Sequence, residues 1–351
     1  MKIKQMCMLV LLWLGVIPAM QAQTFDKLWK EVEQAEKKSL PQTVIKLTGE
    51  IYQKGEMEKN SPQMLKAYMW RMKYRDMLTP DSLYTSLQEL EQWAKQADKP
   101  MDRAILHSLI AGMYADYAAN NQWQLRQRTE IAGEAPSADM REWTANMFVE
   151  KVRTNVKEAM ADSVLLLNTS SRTYIPFVEL GETSEYYHHD MYHLLASRSI
   201  EALQRIQGLD RTTPIEAYSE ETSSEKESLV KQDIERIYDQ MLTSYKAKGD
   251  KEGCLLTSLN YLNWKHGTSK SFREPFRVKK GGTYMTFDPY ETGLDALKTE
   301  YKSLDLCAEV YLAQANNAIG KEQETVALQL CDEALLRKVF FPLYGCLLSE
   351  K

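Results

Sequence analysis

The chain has 351 residues, of which 44% are hydrophobic, and a formal net charge of −5. This composition excludes an intrinsically disordered chain, and the length allows a substantial core. The mild negative charge, without a concentrated basic patch, is atypical of a nucleic-acid-binding protein, so no nucleic-acid partner is expected.

The amino terminus is typical of a secretory signal peptide. Lys2 and Lys4 precede an apolar run over residues 6–17, and small residues lead up to a cleavage site after Ala22. The apolar run is too short to span a bilayer comfortably, and no later apolar stretch is long enough to do so. We therefore expect an exported protein, periplasmic or associated with the cell envelope, without a transmembrane segment after signal cleavage.

Between Thr24 and Asp98, four prolines predict the starts of amphipathic helices. They lie at positions 41, 62, 80 and 100, and proline is tolerated in the first turn of a helix. Ser61, Thr79 and Asp98 lie just upstream as candidate capping residues. Starts about every 20 residues predict helical hairpins that recur about every 40, as in helical repeat proteins.

The middle of the chain predicts one long helix, one extended segment and one histidine-rich helix. The long helix is expected over residues 139–167, where apolar residues recur at helical spacing. Residues 173–180, with Pro176 among them, look extended. The histidine-rich helix is expected over residues 185–198.

This third helix contains the candidate metal ligands Glu185, His189 and His193. Four-residue spacing would place them on one face, and two histidines so spaced can bind zinc. A zinc protease would need glutamate directly after the first histidine, where this chain has Asp190. The alternative, which we favour, is that the histidines form hydrogen bonds across a helix contact. The sequence therefore predicts no catalytic, cofactor-binding or metal-binding residue, and no cofactor.

The carboxyl-terminal part combines further helices with an insertion and an unusual tail. A polar segment at 207–228 predicts an exposed connection, and a helix ending at Gly249 is followed by a partner. The helical pattern stops over residues 268–292, where a small β-hairpin could turn at Gly281-Gly282. Residues 304–334 resemble a tetratricopeptide unit, with small residues where its two helices would meet.

Four cysteines follow the leader, and an even number permits two disulfides. Three of them lie among apolar residues in helical runs, so we favour free, buried thiols. The four are Cys254, Cys307, Cys331 and Cys346.

Together these elements predict an all-α fold: a helical-hairpin (tetratricopeptide-like) array or α-solenoid, with an irregular or β-hairpin insertion near 268–292. The apolar end lacks a polar face, so we expect a truncated or non-native tail. The expected divisions are a signal peptide (1–22), a helical-hairpin array (23–206), a polar linker (207–228), carboxyl-terminal helical pairs (229–338) and the tail (339–351).

Several segments resemble the start of large bacterial alpha-2-macroglobulin-like proteins, and the likeness extends from Thr24 to about Lys338. The resemblance implies an exported protein that blocks proteases through a bait segment and often a thioester, with β-sandwich macroglobulin domains after this helical region. The segments are Thr24-Phe-Asp-Lys-Leu-Trp-Lys-Glu-Val-Glu-Gln-Ala-Glu-Lys-Lys, Leu40-Pro-Gln-Thr-Val-Ile-Lys-Leu, Leu78-Thr-Pro-Asp-Ser, Ala104-Ile-Leu-His-Ser-Leu, Arg141-Glu-Trp-Thr, His189-Asp-Met-Tyr-His-Leu-Leu-Ala-Ser-Arg and Tyr261-Leu-Asn-Trp-Lys.

The chain lacks the family's functional residues, because none of its cysteines is followed by the Glu-Gln of a thioester. The expected function is therefore a non-catalytic scaffold whose partners are proteins or downstream macroglobulin domains, with proteases reached only through the full-length protein. One alternative is a stand-alone exported tetratricopeptide-like module that binds protein or peptide. Another is a metal-dependent hydrolase that uses Glu185, His189 and His193.

Overall fold

The computed structural model describes residues 24–79, 81–128, 137, 139–210, 228–273, 275–280 and 283–337. In this part of the chain the fold is all-α, with one two-stranded hairpin, as predicted. The helices are α1 (Phe25–Lys37), α2 (Pro41–Met57), α3 (Ser61–Leu78), α4 (Ser82–Gln96), α5 (Pro100–Asn120), α6 (Gln122–Gln127), α7 (Ala145–Ala159), α8 (Ser163–Asn168), α9 (Met191–Ile206), α10 (Leu229–Lys248), α11 (Lys251–Thr268), α12 (Lys270–Arg273), α13 (Pro289–Glu300), α14 (Ala308–Gly320) and α15 (Glu324–Leu335). None of the helices described is both long and apolar enough to cross a bilayer.

The proline positions correctly predict helix starts in the amino-terminal region. Pro41 and Pro100 are the first residues of α2 and α5, and Pro62 is the second residue of α3; Pro80 lies outside the described residues. The predicted caps Ser61 and Asp98 are wrong, while Thr79 stays a prediction. The cap of α3 is Asn60, whose side chain accepts a hydrogen bond from the Gln63 amide, and α5 begins without a side-chain cap.

Contacts within the chain divide it into two compact units, Met1–Ser86 with Tyr174–Val178 and Leu87–Thr173 with Glu179–Lys351. In the first unit, α2 packs against both α1 and α3. Its core is aliphatic, and aromatic rings close its edge: Trp29 and Trp70 meet edge to face with centroids 5.9 Å apart. The buried core residues are Leu28, Val32, Ala35, Val44, Ile51 and Ala67.

The second unit is a series of helices that pack on their neighbours. Helix α5 contacts α7 and α9, α9 contacts α10, and α10 contacts α11. The fully buried ring of Phe148 anchors the α5–α7 contact, stacking on Tyr117 with centroids 5.3 Å apart. Between α7 and α10, Arg153 Nε lies 2.7 Å from Asp233 Oδ2. Whether these helices form a sequence repeat stays a prediction, as do the expected domain divisions.

The structure corrects the single helix expected over residues 139–167. A 3₁₀ turn (Met140–Glu142) precedes α7, which ends at Ala159, and α8 starts separately. The break occurs because the Asp162 side chain accepts a hydrogen bond (2.9 Å) from the Leu165 amide and caps α8. The segment 173–180 is not extended either, since a 3₁₀ turn (Ser171–Tyr174) continues into turns up to residue 178.

The expected hairpin is present as β1 (Phe276–Lys280) and β2 (Thr283–Phe287). The strands are antiparallel, with Phe276 opposite Phe287 and Lys280 opposite Thr283. Part of the predicted insertion is helical, because α13 begins at Pro289 inside it, capped by the Asp288 side chain.

Helices α14 and α15 form the expected terminal pair. Their contact is made of small side chains, which let the two helices approach closely. The buried residues of this contact are Ala315, Ala318 and Ala327, with Leu330 and Cys331 packed beside them. The predicted signal peptide (1–22), nearly all of the predicted polar linker (211–227) and the predicted tail (339–351) lie outside the described residues.

Three of the predicted free thiols lie in the described part of the chain. Cys254 on α11 and Cys307 before α14 are buried, and Cys331 on α15 is half-buried. None of the three is in a disulfide, as predicted. Burial raises the pKa of both Cys254 and Cys307 above the usual value for a thiol.

Candidate functional site

The candidate metal ligands do not share a helix face. Helix α9 begins only at Met191, so the prediction of one helix over residues 185–198 is wrong. Glu185 belongs to a separate 3₁₀ turn (Glu182–Tyr186), and His189 precedes the helix. Within the described ranges, no group of three or more His, Cys, Asp or Glu side chains could hold a metal ion.

The helix begins late because Asp190 caps it. Asp190 Oδ1 accepts a hydrogen bond (2.8 Å) from the His193 amide, which satisfies one of the free N–H groups of the first turn. The other oxygen, Oδ2, lies 2.6 Å from Nζ of Lys248, the last residue of α10. A single carboxylate thus caps α9 and joins it to α10.

His193, the one predicted ligand on α9, points into the helix contact. Its Nδ1 is hydrogen-bonded to the Tyr245 hydroxyl, and its ring stacks on Tyr187 with centroids 4.3 Å apart. Burial lowers the pKa of His193 to about 4, although Asp190 and Asp250 act in the opposite direction. His193 is therefore neutral at pH 7, in a structural contact of the kind that we favoured from the sequence.

Beside His193, an open cavity of about 710 Å³ lies between α9, α10 and α11, wholly within the second unit. Its volume is within the range of small-molecule and cofactor sites. The lining residues are Tyr187, His193, Ser197, Ile200, Glu201, Gln204, Gln207, Tyr238, Met241, Thr257, Asn260, Trp264, Gly267 and Thr268.

The wall of the cavity is aromatic and fixed in place by packing. Tyr238 and Trp264 are only 6% and 7% exposed. Both rings pack against Tyr261, which stacks on Tyr238 with centroids 4.7 Å apart and on Trp264 at 6.0 Å. These contacts hold the two lining rings in one position before any ligand arrives.

Three carboxamide side chains line the cavity around these rings. Gln207 Oε1 accepts a hydrogen bond (3.1 Å) from the Trp264 indole N–H. Gln204 is hydrogen-bonded to Tyr238, and Asn260 to Tyr187. Burial raises the pKa of each of these tyrosines to about 12, so both hydroxyls stay protonated and neutral at pH 7.

The cavity presents almost no net charge. Glu201 is the charged lining residue, and its carboxylate lies 2.8 Å from Arg205 and 3.5 Å from Arg198. With His193 neutral, the site offers hydrogen-bonding groups and ring surfaces without a free counter-charge. Such a site is suited to an uncharged ligand that is polar on one side and apolar on another.

The sequence analysis named His193 but missed the cavity. The carboxamides Gln204 and Gln207 lie three residues apart at the end of α9, and Asn260 and Trp264 lie four apart on α11. That spacing is visible in the sequence, but it does not show that the two faces meet.

No protein-family model, curated protein or solved structure matches this chain in comparisons with known proteins.

Proposed function

We propose that this chain is a non-catalytic helical scaffold that binds protein, and that it forms the amino-terminal helical region of an exported alpha-2-macroglobulin-like protein. Three of the segments that resemble that family fall largely on helices. Residues 24–38 cover α1, residues 189–198 begin α9, and residues 261–265 lie in α11. Contact with proteases would belong to the full-length protein, since no thioester Cys-Glu-Gln occurs in this chain.

The observation that carries the binding role is the open cavity in the second unit, whose charged lining residue, Glu201, is paired with Arg205 and Arg198. Its aromatic wall is held rigid by ring stacking, and its carboxamides offer donors and acceptors to an incoming chain. Preformed sites bind more tightly because little conformational freedom is lost on binding. A fixed surface with little net charge suits docking of a partner protein.

Family membership can be tested by reading the genomic DNA past the codon for Lys351 in all frames. The proposal expects sequence of β-sandwich macroglobulin domains directly downstream. Unrelated genes in that place would instead favour the stand-alone exported module that binds protein or peptide.

The docking role is tested by measuring whether this chain binds the downstream macroglobulin region when the two are separate molecules. The purified chain is titrated calorimetrically with the separately expressed downstream macroglobulin region. We expect saturable binding of one to one stoichiometry. If no heat of binding is detected at concentrations up to about 100 μM, which corresponds to roughly 5.5 kcal/mol, the docking role is refuted.

A further inference from the structure

We propose that the cavity between α9, α10 and α11 binds an extended, uncharged stretch of polypeptide. Its main chain would hydrogen-bond to Gln204, Gln207 and Asn260, and an apolar or aromatic side chain of it would lie against Tyr238 and Trp264. This inference rests on the proposed function and specifies the ligand of its binding site.

The hydrogen-bonding groups match a polypeptide main chain. A carboxamide has two N–H donors and an oxygen acceptor, so it can pair with both the C=O and the N–H of a peptide unit. The Gln207 oxygen already accepts from Trp264, which directs its amide N–H groups elsewhere. Gln204 and Asn260 are exposed, and the bond of each to a tyrosine hydroxyl uses one of its several donor and acceptor positions.

The charge of the cavity selects against ionic ligands. An anionic segment, such as a phosphopeptide, would need a basic partner, and the lining contains no lysine or arginine. A cationic segment would have to compete with Arg205 and Arg198 for Glu201. Burying an unpaired charge is costly, so the segment that enters should be uncharged.

The burial of the rings favours a peptide over a sugar. A sugar that stacks on an aromatic side chain needs the flat face of the ring open to solvent. Tyr238 and Trp264 are more than 90% buried, and each stacks on the ring of Tyr261. The small part of each ring that stays accessible is suited to contact with one side chain of an extended segment.

The first step of the test is selection from a phage-displayed library of random dodecapeptides on the immobilised chain. We expect the selected peptides to share a short uncharged core with one aromatic or large aliphatic residue. A synthetic, fluorescein-labelled copy of the most enriched peptide is then titrated by fluorescence anisotropy.

Point variants then locate the binding site. Gln204→Ala and Asn260→Ala should each weaken binding of that peptide about 3- to 10-fold, the effect of one lost hydrogen bond. Both side chains are exposed, but each also hydrogen-bonds a buried tyrosine hydroxyl, so urea denaturation of each variant checks that it is as stably folded as the wild type. Gln232→Ala is the matched control, because Gln232 is exposed on α10 and does not line the cavity; its affinity should equal that of the wild type.

Three outcomes would overturn the inference: no enriched peptide, equal affinity of all the variants for the peptide, or displacement of the peptide by maltoheptaose, which would indicate a sugar site. The proposed function fails separately. If the macroglobulin region binds in trans and Asn260→Ala does not weaken that binding, docking stands but takes place elsewhere on the chain.

Discussion

Asp190 both caps α9 and pairs with Lys248, and two substitutions can separate the contributions of these interactions to stability. Asp190→Asn keeps a side-chain acceptor for the His193 amide, because asparagine is as good a cap as aspartate. It removes the charge that faces Lys248. Asp190→Ala removes both interactions.

The magnitudes follow from the environment of the pair. The side chain of Asp190 is 10% exposed and that of Lys248 is 31% exposed, so the pair lies between a buried charged hydrogen bond and a surface ion pair. We expect Asp190→Asn to lower the free energy of unfolding by about 1–2 kcal/mol. Loss of the cap adds about 1 kcal/mol, so Asp190→Ala should cost about 2–3 kcal/mol.

The assay is urea denaturation followed by far-ultraviolet circular dichroism. Asp239→Asn, which changes an exposed carboxylate on α10, serves as the charge control and should change stability by less than about 0.5 kcal/mol. If Asp190→Asn and Asp190→Ala lower the free energy of unfolding equally, the cap contributes nothing to stability. If Asp190→Asn leaves the free energy of unfolding unchanged, the stabilising role of the ion pair is refuted.

Three further predictions concern the core, pH and helix packing. Phe148→Ala should lower the free energy of unfolding by about 3–5 kcal/mol, measured by urea denaturation, because its fully buried ring leaves a cavity. The pKa of His193 is about 4 in the folded chain and near 6.5 when unfolded, so the unfolded state binds more protons between these values. The contribution of His193 to stability should therefore be constant above about pH 6.5 and fall as the pH drops towards 4, and His193→Phe should flatten that part of the profile. Gly112→Ala should raise the melting temperature, since an added Cβ meets nothing within 4 Å and alanine favours α5 by up to about 1 kcal/mol; Gly293→Ala should raise it less, because the new Cβ would lie 2.8 Å from both methyl groups of Leu262, which must shift.

The sequence predicted the elements that depend on local chemistry. A proline in the first turn is fixed by its own ring, so Pro41, Pro62 and Pro100 marked helix starts reliably. The breaks between helices within stretches of helical periodicity were not predicted, because the regular spacing of apolar residues continues across each break. Asp162 and Asp190 both fit a helix interior by pattern, yet each ends up as a cap. Where a side chain can either cap a helix or lie inside one, the packing of the surrounding chain determines which of the two forms.

The candidate site depends on contacts that local sequence does not encode. Asn260 and Gln204 are 56 positions apart and meet only because α9, α10 and α11 pack together. The histidine cluster looked more significant in sequence because its members are neighbours along the chain. The start of α9 separates these residues, so closeness along the chain was weaker evidence of a site than the packing of distant helices.

The buried thiols make the second unit able to report on its own motions. Cys254 and Cys307 are 4% and 0% exposed, and their raised pKa values keep them protonated, so a thiol-specific dye reacts only when the surrounding helices open. The labelling rate at each position then measures the free energy of local opening, as amide hydrogen exchange does. Among the three cysteines of the described part of the chain, Cys331, which is half-buried, should react first and set the reference rate. These three cysteines lie on α11, in the turn before α14, and on α15. Their labelling rates thus compare local opening at three positions along the carboxyl-terminal helices.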